Sequence, residues 1–263
     1  MDKEVTDKNH NIYFVPGLQR GLRLLEVVAR SEKALSVTEL AQRLDLSRSS
    51  AFRLVYTLQF MGFLQSADER TFQLGARVLN LGFSFLAKQD IIQIARRDLE
   101  NLRDATGISA HLAIRDSMEV LFLDCVQTRT GFLSNVNVGA RLPAYASPMG
   151  WLMLSELPNR ELATLYRDVP FQRLTDKTPS DLSELMQAIA KASAQGYVYS
   201  HGIVEQGGAS VTAPIFDSSG KIVAAIDISG PDTAFESGKP EESYVDAVLS
   251  TASAISARLG YRG

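Results

Sequence analysis

The chain has 263 residues, of which 45% are hydrophobic and 22% are charged, and its net charge is −3. This composition is ordinary for a folded protein of one large or two modest domains. The single cysteine, Cys125, excludes an intrachain disulfide and a cysteine-based metal cluster, and three scattered histidines indicate no metal site. The sequence contains neither a secretion signal nor a run of about 18 apolar residues that could span a bilayer. We therefore expect a cytoplasmic protein without a metal or cofactor.

The charges are distributed unevenly along the chain. Residues 1–88 hold 12 Lys and Arg against 9 Asp and Glu, a net charge of +3, whereas residues 89–263 hold 15 against 21, a net charge of −6. A mildly basic front joined to an acidic rear is typical of a DNA-binding domain that carries a second module with another role.

The first predicted helix follows an irregular N-terminal segment. Residues 1–15 are polar and show no periodicity, so we expect a disordered tail. Pro16-Gly17 then introduces a helix. Its predicted buried face consists of apolar residues at helical spacing, Leu18, Leu22, Leu25 and Ala29. Arg20 lies off this face and is a candidate phosphate contact, with plain solvation as the alternative.

A helix-turn-helix pattern begins at Ser36-Val37-Thr38-Glu39, which has the composition of a capping box. In such a box the serine hydroxyl accepts the N–H of the glutamate, whose carboxylate accepts the N–H of the serine. The helix that it opens has an apolar face of Val37, Leu40, Ala41 and Leu44. Asp45-Leu46 then forms a tight turn, and Ser47 is a suitable N-cap for a second helix.

The second helix has the features of a DNA-reading helix. No Asp or Glu occurs between Asp45 and Asp68, so no carboxylate there repels phosphate. Arginine suits guanine edges, and serine and threonine suit phosphates or bases. The predicted buried stripe is Ala51, Leu54, Val55 and Leu58, and the other face is small, polar and cationic. Including flanking positions, the candidate DNA-binding residues are Arg20, Ser36, Ser47, Arg48, Ser49, Ser50, Arg53, Thr57 and Arg70.

A β-hairpin wing and a short apolar helix follow. Gly62 ends the second helix, and two apolar segments at residues 63–64 and 72–74 flank a polar turn, which predicts the wing. From Gly75 another helix begins, with Leu81 and Phe85 lying off its main apolar side. That side consists of Ala76, Leu79, Phe83 and Leu86. Such a helix needs a partner, and we favour a dimer because most helix-turn-helix proteins bind two half-sites.

The remaining chain predicts an α+β domain, in which helices lie outside a mostly antiparallel sheet. A helix that ends at Gly107 comes first, and Asp217-Ser218-Ser219-Gly220 has the composition of a hairpin turn. The predicted strands are His111–Arg115, Glu119–Val126, Phe132–Val138, Tyr197–Ser200, Ala209–Phe216 and Lys221–Ser229. The later predicted helices are Pro148–Leu157, Asn159–Arg167, Asp181–Gln195 and Glu241–Leu259.

Three strings resemble the IclR family of bacterial transcription regulators, and the resemblance extends from Pro16 to Gly260. The strings are GLQRGL at 17–22 with GFL at 62–64, GARLPAYASPMG at 139–150, and APIFD at 213–217 with AAIDISGP at 224–231. The resemblance implies three regions after the tail: a winged helix-turn-helix over residues 16–75, a linker helix over 76–88 and a GAF-like effector-binding domain over 89–263. It also implies a homodimer or tetramer on double-stranded operator DNA, and control of a catabolic operon by a small organic acid. The string at 141–146 is most similar to the branch that regulates aromatic-acid and β-ketoadipate degradation.

Pro148-Met149-Gly150 is a candidate anion site, because proline favours the first helical position and free N–H groups there attract a carboxylate. In the family, effectors bind against this helix start and the facing strands. Asp227 and Ser229 are two residues apart on one predicted strand and therefore share a face. Carried over, the effector-binding positions are Pro148, Met149, Gly150, Ser200, Gly208, Ser210, Asp227 and Ser229.

Three positions depart from the family pattern. Trp151 stands where lysine is frequent, Gly208 where an aliphatic residue is frequent, and Asp227 where a small or apolar residue is frequent. Gly208 is expected to enlarge the pocket. Asp227 repels a nearby carboxylate unless it is protonated or pairs with a ligand hydroxyl. We therefore expect a hydroxylated or ring-bearing acid rather than the smallest keto acids.

Two other classes of function fit parts of the sequence. A hydrolase would use Cys125, Ser147 or Ser210 as its nucleophile, but the segment from Gly208 to Thr212 lacks the final glycine of a nucleophile elbow. An interaction module would use the winged helix for protein contacts and bind no ligand. In the interpretation that we favour, effector binding changes the relation between two linker helices and so the spacing of two DNA-reading heads.

Overall fold

The structure, a computed structural model, describes residues 10–128, 136–235 and 241–263. The chain divides into two compact units, Met1–Lys88 and Gln89–Gly263, and each is described by itself. Within the described ranges, no helix is long and apolar enough to cross a membrane.

The N-terminal unit is a helical domain with a small antiparallel sheet. Its helices are α1 (His10–Tyr13), α2 (Pro16–Ala29), α3 (Val37–Arg43), α4 (Arg48–Phe60) and α5 (Arg77–Leu86). Its strands are β1 (Leu35–Ser36), β2 (Leu64–Ser66) and β3 (Thr71–Leu74), in the order β1-β3-β2. The expected disordered tail is wrong for residues 10–13, which form α1. The rest of the arrangement is a winged helix-turn-helix, as predicted.

Side-chain caps start both helices of the helix-turn-helix. Ser36 Oγ accepts the Glu39 N–H, and a Glu39 carboxylate oxygen accepts the Ser36 N–H at 2.9 Å, which confirms the capping box. Ser47 Oγ accepts the Ser50 N–H at 3.2 Å. Between the two helices, Asp45 adopts a positive φ of 52°. After α4 the chain reverses at Gly62, whose φ of 78° suits a residue without a side chain.

The core of this unit corrects the predicted face of α2. Leu18 and Leu22 are 63% and 54% exposed, whereas Leu24 and Val28 are buried. Ala29, which was also placed inside, is exposed. Two apolar stripes at helical spacing run along α2, and α4 and the wing cover the second. The core residues are Leu24, Val28, Leu35, Leu40, Val55 and Leu64.

The C-terminal unit is built on a six-stranded antiparallel sheet. Its strands are β4 (Ala110–Asp116), β5 (Glu119–Val126), β6 (Arg141–Pro143), β7 (Val198–His201), β8 (Gly208–Phe216) and β9 (Ile222–Pro231), in the order β6-β5-β4-β9-β8-β7. Its helices are α6 (Asp90–Thr106), α7 (Pro148–Leu154), α8 (Asn159–Leu165), α9 (Leu182–Gln195), α10 (Asp232–Phe235) and α11 (Glu241–Arg258), and a 3₁₀ turn spans Ala144–Ala146. The mixture of helices and antiparallel sheet confirms the α+β prediction.

Helices pack against this sheet in two groups. α6 and α11 contact each other and the central strands, while α7 and α9 contact each other and α7 lies on the sheet. The core around α7 includes Ala113, Phe122 and Ala225, which identifies the sheet face that α7 covers. Most predicted element positions agree to within a few residues. The predicted strand Phe132–Val138 lies mainly outside the described residues, its end at 136–138 is not a strand, and β6 was missed.

Candidate functional site

A cavity of about 360 Å³ lies between the start of α7, the edge of the sheet and the loop at residues 203–207. Six of the predicted effector-binding residues line it. They are Pro148, Ser200, Gly208, Ser210, Asp227 and Ser229. The sequence did not indicate the apolar wall formed by Phe122, Val136 and Leu142, nor the contribution of the loop.

A band of polar side chains crosses four neighbouring strands, and its members on β7, β8 and β9 other than the fully buried Thr212 line the cavity. Ser200 pairs with Ser210 and Ser210 with Ser229, one residue on each of β7, β8 and β9. One step further in, Asp227 of β9 lies between Thr212 of β8 and His111 of β4. Residues directly opposite one another point to the same face of a sheet. We define these six side chains, His111, Ser200, Ser210, Thr212, Asp227 and Ser229, as the polar band.

The central contact of the band joins His111 to Asp227. Nδ1 of His111 lies 2.8 Å from Oδ1 of Asp227, and the Ser229 hydroxyl lies 3.2 Å from the same nitrogen. The His111 side chain is fully buried and that of Asp227 is 9% exposed. Because a carboxylate accepts hydrogen bonds, the imidazole donates from Nδ1. Asp227 therefore has a donor inside the protein, which the sequence did not predict because the pair is separated by 116 residues.

Met149 and Gly150 lie outside the cavity lining, contrary to the expected pocket composition. Met149 is buried in the core around α7. A Cβ on Gly150 would lie 2.1 Å from the carbonyl oxygen of Ala144, so glycine is needed there for close packing of the 3₁₀ turn. Ser147, at the N-cap position of α7 but without a side-chain capping hydrogen bond, lines the cavity in their place. Trp151 is also a packing residue, and its indole N–H donates to the carbonyl of Tyr145 at 2.8 Å.

Gly208 lines the cavity, but space for a ligand is only part of its role. A Cβ at this position would lie 3.2 Å from the carbonyl oxygen of Glu205, in the adjacent turn. The neighbouring Gly207 has a φ of 76°, which favours glycine. The two glycines thus allow the loop to fold tightly over the end of the sheet, where Glu205 and Gln206 also line the cavity.

The arrangement of polar groups suits binding rather than nucleophilic catalysis. Ser229 and Asp227 both contact the same imidazole nitrogen, so histidine does not stand between a nucleophile and a carboxylate as in a catalytic triad. Burial, followed by the charges of Asp124 and Asp227, raises the pKa of Cys125 to about 12, which keeps its thiol protonated and inert. Among the described residues, no group of three His, Cys, Asp or Glu could hold a metal ion.

In the N-terminal unit, the outer face of α4 is polar and cationic. Arg48, Ser49, Arg53 and Thr57 are exposed. Within residues 10–128 the structure gives no ion pair to Arg48 or Arg53. Arg20 and Arg70 are exposed as well, and Asp68 accepts the Arg70 N–H at 2.7 Å in the wing turn.

Three predicted DNA-binding serines have internal hydrogen bonds. The Ser36 hydroxyl donates to Glu39 at 2.8 Å besides accepting its N–H, and it is half-buried. Ser47 and Ser50 are joined through their hydroxyls at 2.9 Å. The hydrogen bonds of Ser36 are therefore used to cap α3. Ser47 and Ser50 lie at the N-terminal end of α4, the end that a DNA-reading helix presents to bases.

Sequence models of two domains match the chain. The IclR helix-turn-helix domain matches residues 17–68, and the C-terminal domain of the bacterial transcriptional regulator IclR matches residues 83–257. Together these matches cover both the capped helix pair and the unit that contains the cavity.

Known proteins are similar over most of the chain. The HTH-type transcriptional regulator BhcR of Paracoccus denitrificans is 29% identical over 92% of this chain and 86% of its own. The Pca regulon regulatory protein of Pseudomonas putida is 28% identical over 82% of this chain and 74% of its own. The crystal structure of an IclR homolog from Microbacterium hydrocarbonoxydans, complexed with 4-hydroxybenzoate, shares the fold with a TM-score of 0.78, at 24% identity over 92% of this chain and 98% of its own. The hydrolase alternative is therefore wrong: the chain belongs to the IclR family of bacterial transcriptional regulators, which bind DNA and are not enzymes.

Proposed function

We propose that this regulator binds operator DNA through the outer face of α4 and the wing, as a homodimer or tetramer, and that an organic acid in the C-terminal cavity controls this binding. The observation that carries the effector site is the polar band, from which four hydrogen-bonding side chains, Ser200, Ser210, Asp227 and Ser229, line the cavity beside an apolar wall. Such a combination of apolar walls and a few convergent polar groups is typical of ligand sites. In this proposal the protein acts in the cytoplasm, where operator DNA lies.

Exposure and charge support the DNA-binding face. Arg48 and Arg53 are exposed cations without ion-pair partners in the described part of the unit. Ser49 lies between them on the helix surface, and Thr57 lies one turn beyond Arg53. Arg20 of α2 and Arg70 of the wing flank this face in sequence and supply further phosphate contacts in the proposal. Positive side chains that neutralise phosphates give an affinity that decreases as salt increases.

The cavity composition supports a hydroxylated or ring-bearing acid as the effector. Phe122 and Leu142 offer an apolar wall for a ring, and the serines of the polar band offer partners for a hydroxyl. Glu205 and Asp227 are the ionisable groups in the described lining, so any carboxylate placed beside them would meet repulsion, whereas an effector hydroxyl could donate to them. The proposal therefore directs a hydroxyl of the effector, and not its carboxylate, toward Asp227. The effector of the Microbacterium protein supplies a compound to test rather than an assignment, because the two proteins share only 24% identity.

The linker helix α5 supports an oligomer. All of its residues are at least partly exposed, and Leu79, Leu81 and Phe83 are each about 60% exposed. Apolar surface of this kind is stabilised when a second copy covers it. A homodimer would also supply the two reading heads that a two-fold operator requires.

The experiment combines effector binding with DNA binding on the full chain. Isothermal titration should show tighter binding of 4-hydroxybenzoate or a related hydroxylated aromatic acid than of benzoate, glyoxylate or pyruvate. Ser210→Ala should weaken the binding of the hydroxylated acid. Ser155→Ala, which lies outside the cavity lining, should leave this binding unchanged. Tight binding of glyoxylate or pyruvate with no binding of aromatic acids would show that the effector class is wrong.

The coupling between effector and DNA is tested separately. Operator affinity is measured by fluorescence anisotropy with and without saturating effector, at several salt concentrations. We expect the effector to change the affinity or the DNA bend, because each ligand must bind the two conformations unequally for coupling to exist. Identical affinity and bend in both conditions would contradict the proposed control, while salt-independent binding would contradict the proposed DNA face.

A further inference from the structure

Aromatic side chains form an exposed stripe on α4. Phe52, Tyr56 and Phe60 recur at every fourth position and are 57%, 62% and 84% exposed. Residues four apart in a helix lie on one face. Large apolar side chains grouped on a small domain are a binding surface more often than an accident of composition, and the core of the unit leaves all three outside it.

Two of these rings lie among the candidate DNA contacts. Phe52 is four residues after Arg48 and three after Ser49, and Tyr56 is three residues after Arg53, so each ring adjoins a polar contact one turn away. No carboxylate occurs from residue 46 to residue 67. The arginines that border this apolar surface have no ion pair among residues 10–128, and the surface is free of acids. Such a surface is complementary to DNA, whose groove edges combine negative phosphates with apolar methyl groups.

We infer that Phe52, assisted by Tyr56, reads thymine by contacting its C5-methyl group in the major groove. The inference rests on the proposed docking of α4 and assigns a base to it. Thymine is the one base that presents a methyl group in the major groove, and phenylalanine is among the side chains that contact it there. The N-terminal residues of a recognition helix reach base edges. Phe60 lies eight residues further along, about 12 Å toward the other end of the helix, beyond that reach.

The first arm of the test removes only the methyl group. The preferred duplex is selected from a random library with the full chain, and each thymine in it is then replaced by uracil. Uracil keeps the hydrogen-bonding edge of thymine and lacks the methyl. We expect wild type to lose about fourfold in affinity at one or more thymines of each half-site, which corresponds to the burial of one methyl-sized group.

The second arm assigns the methyl contact to a side chain. Phe52→Ala should bind the thymine and uracil duplexes equally, and Phe52→Leu should keep part of the difference because it retains apolar surface. Phe60→Ala removes the same ring from the same helix and should keep the full difference. Arg48→Ala should weaken the binding of both duplexes alike, because a contact to phosphate does not depend on the base. It should also reduce the salt dependence of binding by about one counterion.

Each result has a distinct meaning. A selected duplex with no loss on replacing thymine by uracil overturns the inference and leaves DNA binding intact. If Phe52→Ala loses as much affinity as wild type when thymine is replaced by uracil, another residue contacts the methyl group, and the inference is overturned as well. Failure of the full chain to select any duplex overturns the proposed docking and this inference with it. The uracil arm uses wild-type protein, so the absence of a loss there overturns the inference whatever Phe52→Ala does. Where Phe52→Ala does not fold, Phe52→Leu tests the assignment, and a full difference between the two duplexes in that variant overturns it.

Discussion

Replacement of Asp227 by alanine tests the central contact of the polar band. The change removes the carboxylate that accepts the Nδ1–H of His111 at 2.8 Å, in a pair that is almost fully buried. A buried donor left without its partner costs about 1–3 kcal/mol. Ser229 at 3.2 Å can accept from the same nitrogen and offset part of this. The neighbouring cavity admits water, so the void adds little. We expect a loss of about 2 kcal/mol in the free energy of unfolding.

The measurement is made possible by the single tryptophan. Trp151 belongs to α7 in the C-terminal unit and is 7% exposed, so its fluorescence follows the unfolding of that unit in urea. For a unit of this size, 2 kcal/mol corresponds to a decrease in melting temperature of about 4–8 °C. Asp227→Asn keeps the shape and an acceptor oxygen and should lose about half as much, because hydrogen bonds to charged groups are roughly twice as strong.

A double-mutant cycle separates the pair from other effects. Asp227→Ala and His111→Leu are combined, and the interaction energy between them should be about 2 kcal/mol in favour of the pair. Glu205→Gln is the matched control, since this carboxylate lines the same cavity but is exposed. If the losses of unfolding free energy from the two single substitutions add to that of the double variant within about 0.5 kcal/mol, as expected for independent sites, the assigned contact does not stabilise the unit. The same conclusion follows if Glu205→Gln has the same effect as Asp227→Ala.

Gly150→Ala should lose at least about 2 kcal/mol of stability by tryptophan fluorescence, because its Cβ would meet the backbone of Ala144 at 2.1 Å. Gly230→Ala is the control in the same unit, since its new Cβ would meet only the side chain of Ile108, at an ordinary 3.7 Å; it should lose little, and equal effects would refute the steric reason. The capping hydrogen bonds, first that from the Ser36 N–H, lower the pKa of Glu39 from 4.5 to about 2. Glu39 therefore stabilises the fold above pH 4.5, and this contribution is lost as the pH falls toward 2. Hydrogen exchange of the α3 amides is measured at each pH in wild type and in Glu39→Gln. The extra protection of the wild type should decrease as the pH falls from 4.5 to about 2, and a difference that stays constant would be inconsistent with the cap. Because the pKa of Cys125 is about 12, iodoacetamide at pH 8 should react on the order of a thousand times more slowly than with a free thiol, and rapid alkylation of the folded protein would contradict this.

Local chemistry made the N-terminal unit predictable. A capping box, an N-cap serine and a glycine at the helix end each act within four residues, so the sequence alone contains the whole interaction. The structure has all three, at Ser36, Ser47 and Gly62. The buried face of α2 required more than local information. Leu18 with Leu22 and Leu24 with Val28 are both apolar pairs at helical spacing, and only the position of α4 and the wing decides which pair is covered.

The cavity was predictable in place but only partly in composition. Asp227 and Ser229 share a face because of the two-residue period of a strand, which is a local rule. The partner of Asp227 is His111 on β4, which lies next to β9 in the sheet although the two strands are far apart in sequence. Which residue of β4 faces Asp227 depends on the register between the two strands. A one-residue slip of that register would turn His111 to the opposite face of the sheet. Sequence spacing cannot supply that register, so the histidine was missed.

The polar band itself argues that this sheet face is kept for binding. Buried hydroxyl and carboxylate groups destabilise a fold unless they are paired, and an apolar face of equal size would stabilise it more. Here Thr212 is fully buried and its hydroxyl oxygen has no hydrogen-bond partner within the described residues, next to a His111–Asp227 pair that is already satisfied by its own contact. On the other face of the same strands, Leu112, Ile226 and Ile228 form an ordinary apolar core. The two faces therefore follow different rules. One is optimised for packing, and the other retains polar groups, of which Ser200, Ser210, Asp227 and Ser229 line a cavity while Thr212 lies outside the lining. A hydroxylated effector in the cavity would be within reach of those four side chains.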